Sequence, residues 1–241
     1  MKNKKELMEF YYSNDYELDQ RRTEELRIKF KEYLKENPFD TEIWIKFALL
    51  LYSSLLHEDL GAQKCLEKIL EYDPNNIKVI LFRAYIIEHY SYIDDNLFAS
   101  LNKIISTDNS LMSLVEYSKS SYYYLVQENF DEYENCLLRS IKLCDQYLSN
   151  YIDLGQYYLK KGYLQKGYDL MNQGLKNFEY VYDDNHPHDI LDIEEFFNER
   201  FKGLHLSRSN YEIIFESFDP KSPWITGDFI TKKNDNSKTE N

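Results

Sequence analysis

Tyr151–Gly167 reads YIDLGQYYLKKGYLQKG and contains Gly155, Gly162 and Gly167, three of the seven glycines in the chain. Its apolar residues recur at helical spacing, yet a glycine inside a helix costs about 1 kcal/mol relative to alanine. A helical stretch that keeps its glycines therefore needs them for something other than helix formation: a turn, or a close approach of backbones.

The same helical spacing extends outward in both directions. IKFALLLYSSLL, KCLEKILEY, IKVILFRAYIIEHY, LFASLNKIIS, ENCLLRSIKL and DLMNQGLKNF each predict a helix of about a dozen residues. Alternating apolar and polar runs are absent, so the chain reads as all-α. Its 241 residues are 43% hydrophobic and 16% aromatic, with 23 tyrosines against 14 phenylalanines. That is enough apolar surface for a sizeable core, and tyrosine suits half-buried helix faces. The net charge of −13 repels phosphate backbones, so a nucleic-acid partner is not expected. Cys65, Cys136 and Cys144 are odd in number and not closely paired, which fits buried thiols in a reducing, cytoplasmic compartment. The start, MKNKKELMEF, lacks a signal-peptide core, and no run approaches the ~18 apolar residues of a membrane span. The expected protein is cytoplasmic and does not engage a membrane.

A repeat appears when Ser113–Leu143 is laid 34 residues ahead on 147–177. Tyr117 falls on Tyr151, Ser121 on Gly155, Tyr124 on Tyr158, Leu137 on Met171, Ser140 on Gly174 and Ile141 on Leu175. Tyr151-x2-Leu154-Gly155-x2-Tyr158 resembles the W-x2-L-G-x2-Y signature of the tetratricopeptide repeat, with Tyr in place of Trp. The resemblance implies a right-handed superhelical array of antiparallel helix pairs with a concave inner surface. It also implies close helix crossings at Gly155, Gly167 and Gly174, and places Gly162 in the turn.

Four units follow from this register: 41–76, 77–111, 114–147 and 148–181. In the first, Trp44, Ala48, Leu51, Ala62, Leu66 and Pro74 fall at signature sites, with the inter-helix turn within Ser53–Gly61. The second departs from the pattern, since Leu97 and Ile104 stand where small residues belong and Arg83 where Leu does. In the third, Tyr133 fills a small site. Residues 1–38 form an N-terminal capping region, with Leu26, Ile28, Phe30, Tyr33 and Leu34 on the apolar side of one helix. Residues 182–220 form an acidic C-terminal cap, in which Asp189 starts a helix reaching Phe201, Gly203 ends it, and NYEIIFESF makes another. Residues 221–241 are a polar tail with a disordered end.

Catalytic signatures are absent: no phosphate-binding glycine loop, no G-x-S-x-G and no H-E-x-x-H. No catalytic, cofactor or metal site is expected. His186–Asp189 (HPHD) has metal-like spacing but lacks companion ligands, and reads as a loop before a helix. The carboxylates among residues 192–199 are the solvated side of a helix whose other side holds Ile193, Phe196, Phe197 and Phe201. Cys65 and Cys136 fall on core-facing sides of second helices.

Two surfaces remain for a partner. By the resemblance, first-helix residues off the packing sites line the groove: Lys46, Leu49 and Tyr52; Lys78, Leu81, Phe82, Tyr85 and His89; Lys119, Tyr122 and Leu125; Ile152, Gln156 and Lys160. Aromatics, aliphatics and lysines in that mixture suit an extended peptide or a helix; the competing reading is a shallow groove partly filled by the chain's own termini. The family's basic clamp for a terminal carboxylate falls here on Ile45, Leu49, Phe82, Val115 and Lys119, so chaperone tails are not expected ligands. The alternative is an acidic face of Asp192, Glu194, Glu195 and Glu199. Eleven acidic residues against three basic ones between Glu179 and Asp219 give this segment −8 of the net −13. Such a face suits a basic protein, as in immunity-type inhibitors of basic toxins, or it solubilises a cap.

Overall fold

The computed structural model describes residues 3–13, 20–52, 58–88, 93–176, 180–182 and 192–205. Helices come in antiparallel pairs. The first unit is α3 (Thr41–Tyr52) with α4 (Asp59–Leu70), and the second is α5 (Ile77–Glu88) with α6 (Asp95–Lys103). The third is α7 (Asn109–Leu125) with α8 (Phe130–Leu143), and the fourth is α9 (Leu148–Lys160) with α10 (Leu164–Lys176). Local chemistry starts these helices. The side chains of Asp94, Asp108 and Asn129 accept backbone N–H groups in the first turns of α6, α7 and α8, and Asp40 and Asn76 do the same for α3 and α5.

The small residues stand at the crossings. A Cβ built on Gly155 would lie 2.3 Å from Met171 Cγ and 3.0 Å from the Gly167 carbonyl oxygen. One on Gly167 would lie 2.8 Å from the Gly155 carbonyl oxygen, and one on Gly174 would lie 2.5 Å from Tyr151 Cβ. So α9 and α10 touch backbone to backbone, which offsets the lost helix propensity. In the third unit a fully buried serine pair takes this place. Ser113 and Ser140 bring their hydroxyls within 2.8 Å, and Ser140 also donates to the Ser113 carbonyl at 2.6 Å. The turns repeat as well: Gly162 has φ +84°, and Glu128, 34 residues earlier, has φ +51°. Glycine adopts that left-handed turn freely, whereas glutamate is strained in it.

The second unit differs from expectation. Helix α6 ends at Lys103, Ile104 is already extended, and Ile105 is exposed, although the sequence predicts helix through Ser106. Leu97 and Ile104, both buried, hold α6 off at the sites where small residues permit crossing elsewhere. In the first unit α4 begins at Asp59, so Gly61 lies in its first turn and not between the helices.

Two helices precede the array where the sequence suggests one. Helix α2 (Gln20–Glu36) buries Leu26, Phe30, Tyr33 and Leu34, and Phe30 stacks on Phe47 of the first unit at 5.4 Å. Ile28 faces solvent instead of the core. Helix α1 (Lys4–Tyr12), capped by Asn3, adds Leu7 and Tyr11 to the same core.

After the fourth unit comes a feature with no counterpart in the sequence reading. Strand β1 (Tyr180–Tyr182) pairs in parallel with β2 (Gly203–His205), in register Tyr180↔Gly203 and Tyr182↔His205. Between them lies α11 (Ile193–Lys202). Its cap is Asp192, which accepts from Glu194 N–H at 2.8 Å, whereas the sequence points to Asp189. Asp189, the HPHD loop, the NYEIIFESF segment and the polar tail lie outside the described residues.

Candidate functional site

First helices α3, α5 and α9 share one face of the array, which we call the inner surface. Segment 192–205 runs along it: α11 lies on α3 and α5, and β2 lies on α9.

At the first two units, α11 meets Lys46, Lys78, Phe82 and Tyr85 of the predicted groove residues. Phe196 inserts between Phe82, at 4.7 Å between ring centroids, and Tyr85, at 4.9 Å. Tyr52 closes the cluster, edge-on to Phe82 and Tyr85 at 5.8 and 5.9 Å. Phe82 and Phe196 are buried, as are Leu49, Leu81, Ile193 and Phe197. Around this aromatic centre the contacts are charged. Lys46, itself buried, pairs with Asp192 at 3.4 Å and lies over the Tyr11 and Tyr12 rings of α1 at 5.4 and 4.9 Å. Lys78 pairs with Glu194. Helix α11 thus presents Ile193, Phe196 and Phe197 on one apolar side, with Asp192 and Glu194 placed to meet two lysines.

The two surfaces that compete in the sequence reading are therefore two sides of one contact. Asp192 and Glu194 of the acidic face are turned onto Lys46 and Lys78 of the groove; Glu195 is exposed. The backbone of Glu199 is in α11, and His89 lies outside the described residues.

The third and fourth units place their candidates differently. Lys119 binds Glu116 at 2.8 Å, and Glu116 also accepts from Arg139 of α8 at 2.7 Å, which puts Lys119 on the second-helix side. Burial raises the Glu116 carboxyl, but the hydrogen bonds from Lys119 and Arg139 outweigh it and hold the group below the usual range. Tyr122 stacks on Phe98 at 3.9 Å and donates to Asp95 at 2.6 Å, so it packs against α6. Leu125 is exposed at the turn edge, Gln156 is half-buried, Ile152 is buried and Lys160 is exposed.

Sequence reasoning missed Asp153. This half-buried carboxylate on α9 accepts a hydrogen bond from Tyr117 of α7 at 2.7 Å, joining the third and fourth units. Burial pushes its carboxyl up to about 6, only partly offset by Tyr117 and by the charge of Lys160. It also missed the seat of Phe196. The signal available was the unpartnered apolar side Ile193–Phe196–Phe197, and nothing local says which surface covers it.

Among the described residues no His, Cys, Asp and Glu side chains group as metal ligands, and no helix is long and apolar enough to cross a membrane. Cys65 and Cys136 are buried, and burial pushes both thiols up to about 12.

With this geometry in hand, comparison with solved structures decides the architecture. The chain shares its fold with MamA. A crystal structure of MamA protein superposes with a TM-score of 0.55 at 14% identity, covering 72% of this chain and 90% of that one. Residues 41 to the end of MamA from Desulfovibrio magneticus RS-1 give 0.54 at 13%, covering 71% and 94%. A further MamA crystal structure gives 0.52 at 14%, covering 65% and 88%. The likeness to MamA is one of fold: a tetratricopeptide-type helical solenoid. The chain matches no protein-family model, and no curated protein is detectably similar to it in sequence.

Proposed function

We propose that this protein is a non-catalytic interaction module that binds a peptide or protein partner on its inner surface, at the cluster of Lys46, Tyr52, Lys78, Phe82 and Tyr85. One observation carries the reading: a helical segment, α11, already occupies that cluster with an aromatic anchor and two ion pairs. Buried aromatics in a desolvated centre with charges at the rim are the arrangement that supplies binding energy at protein interfaces. The fold shared with MamA supports a scaffold of this kind. A basic partner on the acidic helix would have to compete with Lys46 and Lys78 for Asp192 and Glu194, so the inner surface is the reading the contacts favour.

The test is affinity capture from cells of the native host. Bait proteins would be the wild type, Lys78→Glu, Tyr85→Ala and, as a control away from the cluster, Tyr163→Ala. A partner retained by Tyr163→Ala and lost by the two cluster variants is the expected result. Partners captured equally by all four would refute the inner-surface reading.

A further inference from the structure

The segment seated in the groove also indicates what the groove recognises. We propose that α11 is a displaceable internal ligand, and that the partner is an acidic amphipathic helix which competes with it. This inference rests on the inner surface being the binding surface.

Complementarity is the first argument. Lys46 and Lys78 stand on successive first helices of a chain with net charge −13, and both face carboxylates from one helix. Between them the pocket of Tyr52, Phe82 and Tyr85 takes a single ring, that of Phe196. The spacing is explicit: an N-capping Asp, an acid two residues on and a Phe two beyond that, at 192, 194 and 196. A partner helix carrying the same three groups makes the same contacts.

Replaceability is the second. Helix α11 has ten residues, too few to be stable alone in water, so its helicity depends on the groove. Asp192 and Glu194 remain substantially exposed while paired. Water reaches the Lys78–Glu194 pair from both sides, and such an exposed pair exchanges carboxylates at little cost; Lys46 is buried, so a rival must supply a carboxylate to it in place of Asp192. The lysines and the pocket belong to helices α3 and α5, and although Ile193, Phe196 and Phe197 join the same core, these helices also bury Ile43, Phe47, Val79 and Ala84 in it together with Leu66 of α4 and Leu114 of α7, contacts that remain when α11 leaves.

The arithmetic of tethering then defines the effect. A covalently attached segment acts at an effective concentration of about 1 mM, and only the fraction of molecules with α11 released can bind a rival. Weakening α11 without touching the groove must therefore raise the apparent affinity for a rival helix.

The probe is a fluorescent synthetic peptide, DIEEFFNERFK (Asp192–Lys202), titrated by anisotropy with the full-length chain. The proteins are the wild type, Phe196→Ala, Glu194→Lys, and the charge swap Lys78→Glu with Glu194→Lys. Glu194 is exposed, so its substitution does not threaten folding, and it decides the matter if Phe196→Ala loses helical circular dichroism. Glu194→Lys and folded Phe196→Ala are expected to bind the probe at least about tenfold more tightly than the wild type. The charge swap restores the internal pair and should return binding to the wild-type level or below. Equal affinity across wild type and variants would overturn α11 as a competitor while leaving the inner surface as a binding site. Absence of probe binding by every folded variant would overturn the acidic-helix partner, and the capture experiment would still judge the inner-surface reading separately.

Discussion

Gly155→Ala tests the packing that holds the fourth unit together. Alanine is favoured over glycine in a helix interior by about 1 kcal/mol, so propensity alone predicts a stabilised protein. The structure predicts the reverse. The new methyl would lie 2.3 Å from Met171 Cγ, 3.0 Å from Met171 Sδ and 3.0 Å from the Gly167 carbonyl oxygen, where carbon contacts ordinarily sit at about 3.5–4 Å. Met171 is buried and cannot swing into solvent, and the Gly167 carbonyl moves only if α10 moves. Overpacking of this kind costs about 1–3 kcal/mol, leaving a net loss of up to about 2 kcal/mol after the propensity gain of about 1 kcal/mol. The magnitude can be separated from general damage. Met171→Ala alone should cost about 2–5 kcal/mol, but combined with Gly155→Ala it vacates the space the methyl needs. The double variant should be less destabilised than the sum of the singles by at least about 1 kcal/mol. Gly61→Ala is the control: its methyl would meet side-chain atoms alone, Leu51 Cδ1 at 3.2 Å and Glu58 Oε2 and Cβ at 3.4 and 3.5 Å, with no backbone in the way, and it should be neutral or stabilising. Urea titration followed by far-ultraviolet circular dichroism measures the four variants and the wild type, with comparisons drawn where the denaturant slope is unchanged. A stabilised Gly155→Ala, or a cycle that adds within about 0.5 kcal/mol, would refute the crossing argument.

Glu128 occupies the left-handed turn position that Gly162 fills one repeat later, so Glu128→Gly should stabilise by about 0.5–1 kcal/mol; a loss of stability in the same titration would refute the strain. Asp153 titrates at about 6 in the folded chain against 3.8 ordinarily, so its native form holds a proton that the unfolded form has already released. Stability should rise as pH falls from 7 through 6 and level off near 4. Asp153→Asn should flatten that profile and stabilise at pH 7 by about 1–2 kcal/mol, below the full ~3 kcal/mol because the group is partly solvated; an unchanged profile refutes the assignment. Native-state labelling with a maleimide, located by mass spectrometry, should modify Cys144 and spare buried Cys65 and Cys136, whose thiols are pushed up to about 12; early labelling of either would contradict their placement.

Helix periodicity, the 34-residue register and the small residues at its crossings were legible in the chain because each is a short-range constraint. Gly155, Gly167 and Gly174 announce close approach by lacking a side chain where helix propensity alone would supply one, and Gly162 announces a positive φ. Leu97 and Ile104 likewise announced an irregular second unit, though not where α6 would stop. Of the residues that the resemblance places inward, Phe82 and Tyr85 meet Phe196 with Tyr52 beside them, whereas Lys119 and Tyr122 meet Glu116 and α6 because the rotation of α7 is set by its neighbours. What the sequence could not determine was the destination of segment 192–205. Ile193, Phe196 and Phe197 show that α11 must bury one side, and Asp192 and Glu194 that another side is charged, but a periodic pattern carries no address. Only the superhelix, by bringing Lys46, Lys78, Phe82 and Tyr85 from two separate helices to one surface, creates the site that those residues fit. The pairing of β1 with β2 is decided in the same way, since three-residue strands carry too little pattern to be seen until the tertiary structure brings them side by side.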